Sequence, residues 1–171
     1  MTGTDTLPTI VVAVAALISV VALSSGRATR LASSAAVALL ALALLLGWPT
    51  PADPDLRKTL RVLAGILAVA GGGLVTTHVF SFVDDPADVR RAGTVLRGGA
   101  WIGALERLAV YVALVAGWAP GVAVVLAVKG LGRYPELRNR DDSAVAERFI
   151  IGTFSSVLWA VGCAALTLPL S

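Results

Sequence analysis

Residues 7–23, LPTIVVAVAALISVVAL, contain no charged side chain and decide the fold. A helix of about 20 such residues crosses a hydrocarbon core of about 30 Å. Helices at the surface of soluble proteins pair an apolar stripe with a polar face, and this stretch has no polar face. Residues 31–48, LASSAAVALLALALLLGW, repeat the pattern. Further apolar blocks follow at 60–83, 100–118, 121–134 and 145–168. The predicted fold is all-α: a polytopic transmembrane helix bundle of about six spans, forming a single integral membrane domain over residues 1–171.

Composition points the same way. Hydrophobic residues make up 57% of the chain and charged residues 15%, with a mean hydropathy of +0.84. Soluble domains carry about 25% charged residues, so this chain cannot cover its own surface in water. The net charge of +3 does not signal nucleic acid. The arginines sit between apolar blocks, as topology determinants do, and not in a basic stripe interleaved with aromatics. Cys163 is the sole cysteine, which excludes an internal disulfide, and its small neighbours Gly162, Ala164 and Ala165 suit a packing role. Residues 1–8 hold Asp5 and no basic residue. A signal peptide has a positive n-region, so the first span is expected to be retained.

Basic residues between short spans orient a membrane protein. With the N-terminus outside and six spans in series, the cytoplasmic side receives Arg27, Arg30, Arg90, Arg91, Arg97, Arg107, Lys129, Arg133, Arg138, Arg140 and Arg148. The outside receives Arg57, Lys58 and Arg61. Both termini are therefore expected outside, in a multi-pass protein of the bacterial inner (plasma) membrane. Trp48 and Trp118 then fall at outer span ends and Trp101 and Tyr134 at inner ends, where amphipathic rings prefer to lie.

The first 83 residues carry little chemistry. In the third span, Ala64, Ala68, Gly72 and Thr76 form a ridge of small residues that lets a neighbouring helix approach closely. Gly71, Gly72 and Gly73 also admit a hinge. His78 lies six residues before Asp84, a spacing that makes no metal site. No metal or other cofactor is expected.

The later spans place charges inside apolar helices: Glu106 and Arg107, Lys129 and Arg133, Glu147 and Arg148. Such groups cost about 2.5–3.5 kcal/mol each on insertion scales and mark paired or functional positions. In the six-span arrangement all of them fall near the cytoplasmic interface. Neighbouring residues on a helix point about 100° apart, so Glu106 and Arg107 cannot pair with each other. Glu106 and Glu147 are expected to meet Lys129 and Arg133 across helices, with Glu136 at the rim. Alternatively the basic groups snorkel to headgroups, including anionic lipid at the cytoplasmic face. Ala109, Ala113 and Gly117 follow Glu106, and Gly152, Ser156 and Ala160 follow Arg148, as further packing ridges.

The segments GGAWIGALER (98–107), AVKGLGRYPEL (127–137) and AERFIIGTFSS (146–156) resemble a family of uncharacterised, largely actinobacterial small integral membrane proteins. They are also similar to the C-terminal part of a broader bacterial membrane domain of unknown function. The resemblance covers about residues 97–162, and the 12 arginines against 2 lysines suit a high-GC genome. It implies that the Glu-Arg and Lys-Gly-Leu-Gly-Arg motifs are family features, and it implies no activity.

Enzymatic function is not expected, because no metal-ligand, nucleophile-elbow, HExxH or Walker-type spacing occurs. Two classes remain. One is a membrane component that assembles with itself or a partner protein through small-residue faces and a charge layer. The other is a small transporter or channel subunit in which Glu106, Lys129, Arg133 and Glu147 form a polar site.

Overall fold

The computed structural model describes residues 3–25, 30–45, 51–83, 99–138 and 143–168. These are helical throughout apart from short turns, and they contain no strand. The helices are α1 (Gly3–Ser25), α2 (Arg30–Leu45), α3 (Pro54–Val83), α4 (Gly99–Val115), α5 (Pro120–Arg138) and α6 (Ser143–Ala165). Three stretches are long and apolar enough to cross a bilayer: Thr6–Ser24, Pro54–Phe82 and Ala146–Ala165. The shorter Leu31–Leu44 is apolar as well. The described residues thus form an all-helical bundle in which three helices are long and apolar enough to span a membrane, as in a membrane protein. Arg27, Trp48, Asp84, Arg90, Arg91, Arg97 and Arg140, which the sequence used for orientation, belts and loops, lie outside the described residues.

Helix α3 begins at Pro54, six residues before the apolar block that announced it. Its start is set by capping chemistry. The Asp53 carboxylate accepts the amides of Asp55 at 2.8 Å and Leu56 at 3.1 Å, and Pro54 takes the first helical position, where a missing N–H costs nothing. These amides, Leu56 first, hold the Asp53 carboxyl below its ordinary range. The cap therefore contributes fully at neutral pH and is lost as the pH falls through that lowered value. Lys58 adds an exposed pair with Asp55 at 3.0 Å.

At 30 residues α3 is the longest helix, and it is the axis of the bundle. It packs against α1, α6, α4 and α2, whereas α5 rests chiefly on α4. Leu60, Ala64, Leu67 and Ala68 of α3 are buried with Ala15 and Ala16 of α1, Ala36 of α2 and Ala160, Cys163 and Ala164 of α6. The small side chains explain the close approach: without a hydrophobic force between helices in lipid, contact comes from backbones that fit together. Cys163 fills that seam and has no exposure. Ala64, Ala68 and Gly72 are covered by the chain's own helices.

The α4–α5 turn closes on Gly117, whose φ of 74° places it in the left-handed region. Its amide bonds to Leu114 O at 3.0 Å, and the Trp118 amide bonds to Ala113 O at 2.8 Å. This pair of bonds is the Schellman cap, which favours glycine because no Cβ meets the preceding turn. The Trp118 ring then lies over Gly121, where a Cβ would come within 2.5 Å of it. Pro8 lies near the start of α1 and Pro135 near the end of α5, so neither interrupts a helix centre.

On α6, Gly152 faces the Phe80 ring of α3, 2.7 Å from where a Cβ would stand, while Leu158 is 65% exposed. Gly152→Leu should lower the melting temperature of the purified protein, by about 1–3 kcal/mol of overpacking. Leu158→Ala should lower it less. Equal melting temperatures would contradict the α3–α6 seam.

Candidate functional site

The two Glu-Arg dipeptides were expected to feed one charge layer, and the first of them divides. On α4, Glu106 turns outward to α5 and forms an ion pair with Lys129. Both side chains are largely shielded, at 14% and 19% exposure. Lys129 also lies 5.8 Å from the centroid of the Phe149 ring, so it joins α5 to α4 and to α6.

Arg107 turns the other way, into the bundle, and is 7% exposed. Its Nε donates to Val69 O of α3 at 3.1 Å and its Nη1 to the Ser156 hydroxyl of α6 at 3.4 Å. Arg107 makes no ion pair among the described residues. Within the expected charge layer, Arg107 is an interior residue bound to a backbone carbonyl. Charge-assisted hydrogen bonds are worth about 1.5–3 kcal/mol each, which is the size of the insertion cost of one arginine.

Two neighbours bind α3 in the same way. The Tyr111 hydroxyl donates to Arg61 O at 2.6 Å, and Trp159 Nε1 donates to Leu67 O at 3.1 Å. Each of these three carbonyls lies four residues before a glycine: Arg61 before Gly65, Leu67 before Gly71 and Val69 before Gly73. A helical side chain leans over the carbonyl one turn back. Thr76 and Thr77 show it here by donating to Gly72 O at 2.8 Å and Gly73 O at 2.9 Å. Glycine leaves that carbonyl bare, and a second donor reaches it from a neighbouring helix. A Cβ at Gly71 would stand 2.6 Å from the Trp159 ring, and one at Gly72 would meet the Arg107 stem and Trp159. The triple glycine is therefore a cradle for two side chains.

The end of the bundle where α3 finishes and α6 begins holds the second dipeptide. The Arg148 guanidinium covers the Phe80 ring at 4.4 Å, and Gly152 lies against the same ring. Glu147 is exposed and forms no ion pair among the described residues, so the expected pairing of Glu147 with Lys129 or Arg133 does not form. Arg133 is partly buried. The side chain of Glu136, expected at the rim, lies outside the described residues. His78 stands edge-on to Phe82 at 4.9 Å, and its Nδ1 is buried without a hydrogen-bond partner among the described residues. Within them, no group of three or more His, Cys, Asp or Glu side chains converges.

The packing ridges fare differently. Ser156 and Ala160 are buried, as is Ala113, while Ala109 is exposed and Gly117 belongs to the turn. Phe80 and Tyr111 were not singled out from the sequence; the signal that would have found Tyr111 is Gly65, whose missing Cβ admits the ring at 3.2 Å.

No protein-family profile matches the chain, and no curated protein or solved structure matches it.

The Glu106–Lys129 pair is testable by a double-mutant cycle on thermal unfolding. Removing one partner of a fully buried pair costs about 3–5 kcal/mol, an upper bound for this partly shielded one. Glu106→Gln should destabilise, and Lys129→Gln in the same chain should add little. Additive losses would show that the two side chains do not interact.

Proposed function

We propose that this chain is a non-enzymatic integral membrane component that assembles with itself or with a partner membrane protein. It crosses the bilayer six times, with both termini outside the cytoplasm. The observation that carries this proposal is the setting of α5. That helix is tied to α4 by the Glu106–Lys129 pair and leaves Val124, Val128 and Leu131 exposed. Gly130 and Gly132 have open space where a Cβ would stand. Small residues beside apolar ones on a free helix face are the composition of a transmembrane helix contact.

The sequence had offered the α3 and α6 ridges for assembly as well. Those are filled within the chain, so the assembly face moves to α5. A transport path through Glu106 and Lys129 has less support, because the two groups are spent on each other. Six crossings fit the antiparallel run of α3, α4, α5 and α6 and the basic residues that cluster between alternate spans. The lineage of the motifs, through the bacterial family they resemble, is part of the same proposal and adds no activity to it.

Cysteines test both parts in a Cys163→Ala background. Val128→Cys should give a crosslinked dimer, or a crosslinked partner, in membranes, and Leu17→Cys on α1 should not. Thr94→Cys should resist an impermeant thiol reagent in intact cells and react after lysis. Labelling of that position in intact cells would reject the orientation, and equal crosslinking at positions 17 and 128 would reject the α5 face.

A further inference from the structure

A groove of about 600 Å³ opens on the side of the bundle between α1, α3 and α4, away from α5, a side that the proposed spans turn towards lipid. Its walls are Val20, Ile66, Val69, Leu108 and Val112, and its floor is the Tyr111 ring against Gly65. From Arg61 to Ala70 it follows α3 for about 13 Å at 1.5 Å per residue. Arg61 is the single charged residue in the lining and closes one end.

That cation is available. Lys58 is paired with Asp55, and Asp53 is turned onto the α3 N-terminus. Arg61 forms no ion pair among the described residues. Its carbonyl, not its guanidinium, receives the Tyr111 hydroxyl. Arg57 lies one helical turn earlier on the same face. An apolar slot inside the bilayer with one or two guanidinium groups at its mouth matches a single ligand chemistry: an acyl chain joined to a phosphate. Guanidinium binds phosphate oxygens in a bidentate fork. A zwitterionic headgroup carries its own cation, so a net anionic phospholipid gains more from Arg61.

We propose that the α1–α3–α4 groove is a saturable site for one anionic phospholipid, its acyl chain lying along Ile66 and Val112 and its phosphate on Arg61.

The purified protein in neutral detergent tests this with phosphatidylglycerol, phosphatidylcholine and glycerol phosphate, read by thermal shift and by retained lipid in native mass spectrometry. Phosphatidylglycerol should bind at one per chain, with an apparent affinity about tenfold above that of phosphatidylcholine, the size of one charge-assisted contact. Arg61→Gln should remove that preference and leave the lipid-free melting temperature unchanged. Val62→Trp, placed at an exposed lining position, should abolish lipid retention while Arg61 is intact. Equal binding of both lipids, or a preference that survives Arg61→Gln, would overturn the proposal. So would a full effect from glycerol phosphate, which would make it a free-phosphate site. If Val62→Trp changed the oligomeric state and left lipid retention as it was, the groove would be an interface between copies.

Discussion

Three side-chain donors from two helices converge on the main chain of a third, and the bundle depends on that convergence. Tyr111 and Arg107 reach α3 from α4, and Trp159 reaches it from α6. The acceptors are carbonyls already engaged in the α3 ladder, and they have a second lone pair to give. In a bilayer such bonds gain weight, because the alternative for a buried donor is hydrocarbon. Glycine makes them possible by leaving the carbonyl one turn back uncovered. The same glycines bring the helices close, so packing and hydrogen bonding are met by one sequence feature.

The division of the Glu-Arg dipeptide follows from helix geometry. Neighbouring side chains diverge by about 100°, so one member of the pair faces the core and the other faces α5. Arg107 holds α3, α4 and α6 together; Glu106 attaches the hairpin partner. The bundle is thus a tight group built on α3, with α5 joined to it mainly through α4. Polar groups at depth are commonly functional. Here Glu106, Arg107 and Lys129 bond to other groups of the chain.

Much of the architecture was legible in the sequence. Hydropathy placed every helix boundary to within about four residues except the start of α3, because a membrane demands long apolar runs and little else. The start of α3 was missed, since Arg57, Lys58 and Arg61 look like a loop until Asp53 and Pro54 are read as a cap. The site was legible in part. Pairing of Glu106 with a basic residue on α5 followed from charge and topology. The interior setting of Arg107 did not, because it depends on how α4 is rotated, which adjacent-residue patterns do not specify. The i−4 relation between glycines and bare carbonyls was present in residues 61–73, but it gains meaning only once the donors on α4 and α6 are in place.

Thermal unfolding of Gly72→Ala, measured in the native chain and in an Arg107→Ala background, tests the α3 cradle most directly. Gly73→Ala separates hydrogen bonding from packing, since a Cβ there would meet nothing nearer than 3.6 Å but would lean over Val69 O, the acceptor of Arg107. The account predicts a large loss from Gly72→Ala in the native chain, a loss reduced by more than half once Arg107 is truncated, and a smaller loss from Gly73→Ala that disappears in the Arg107→Ala background. An undiminished Gly72→Ala penalty in the Arg107→Ala background would contradict it.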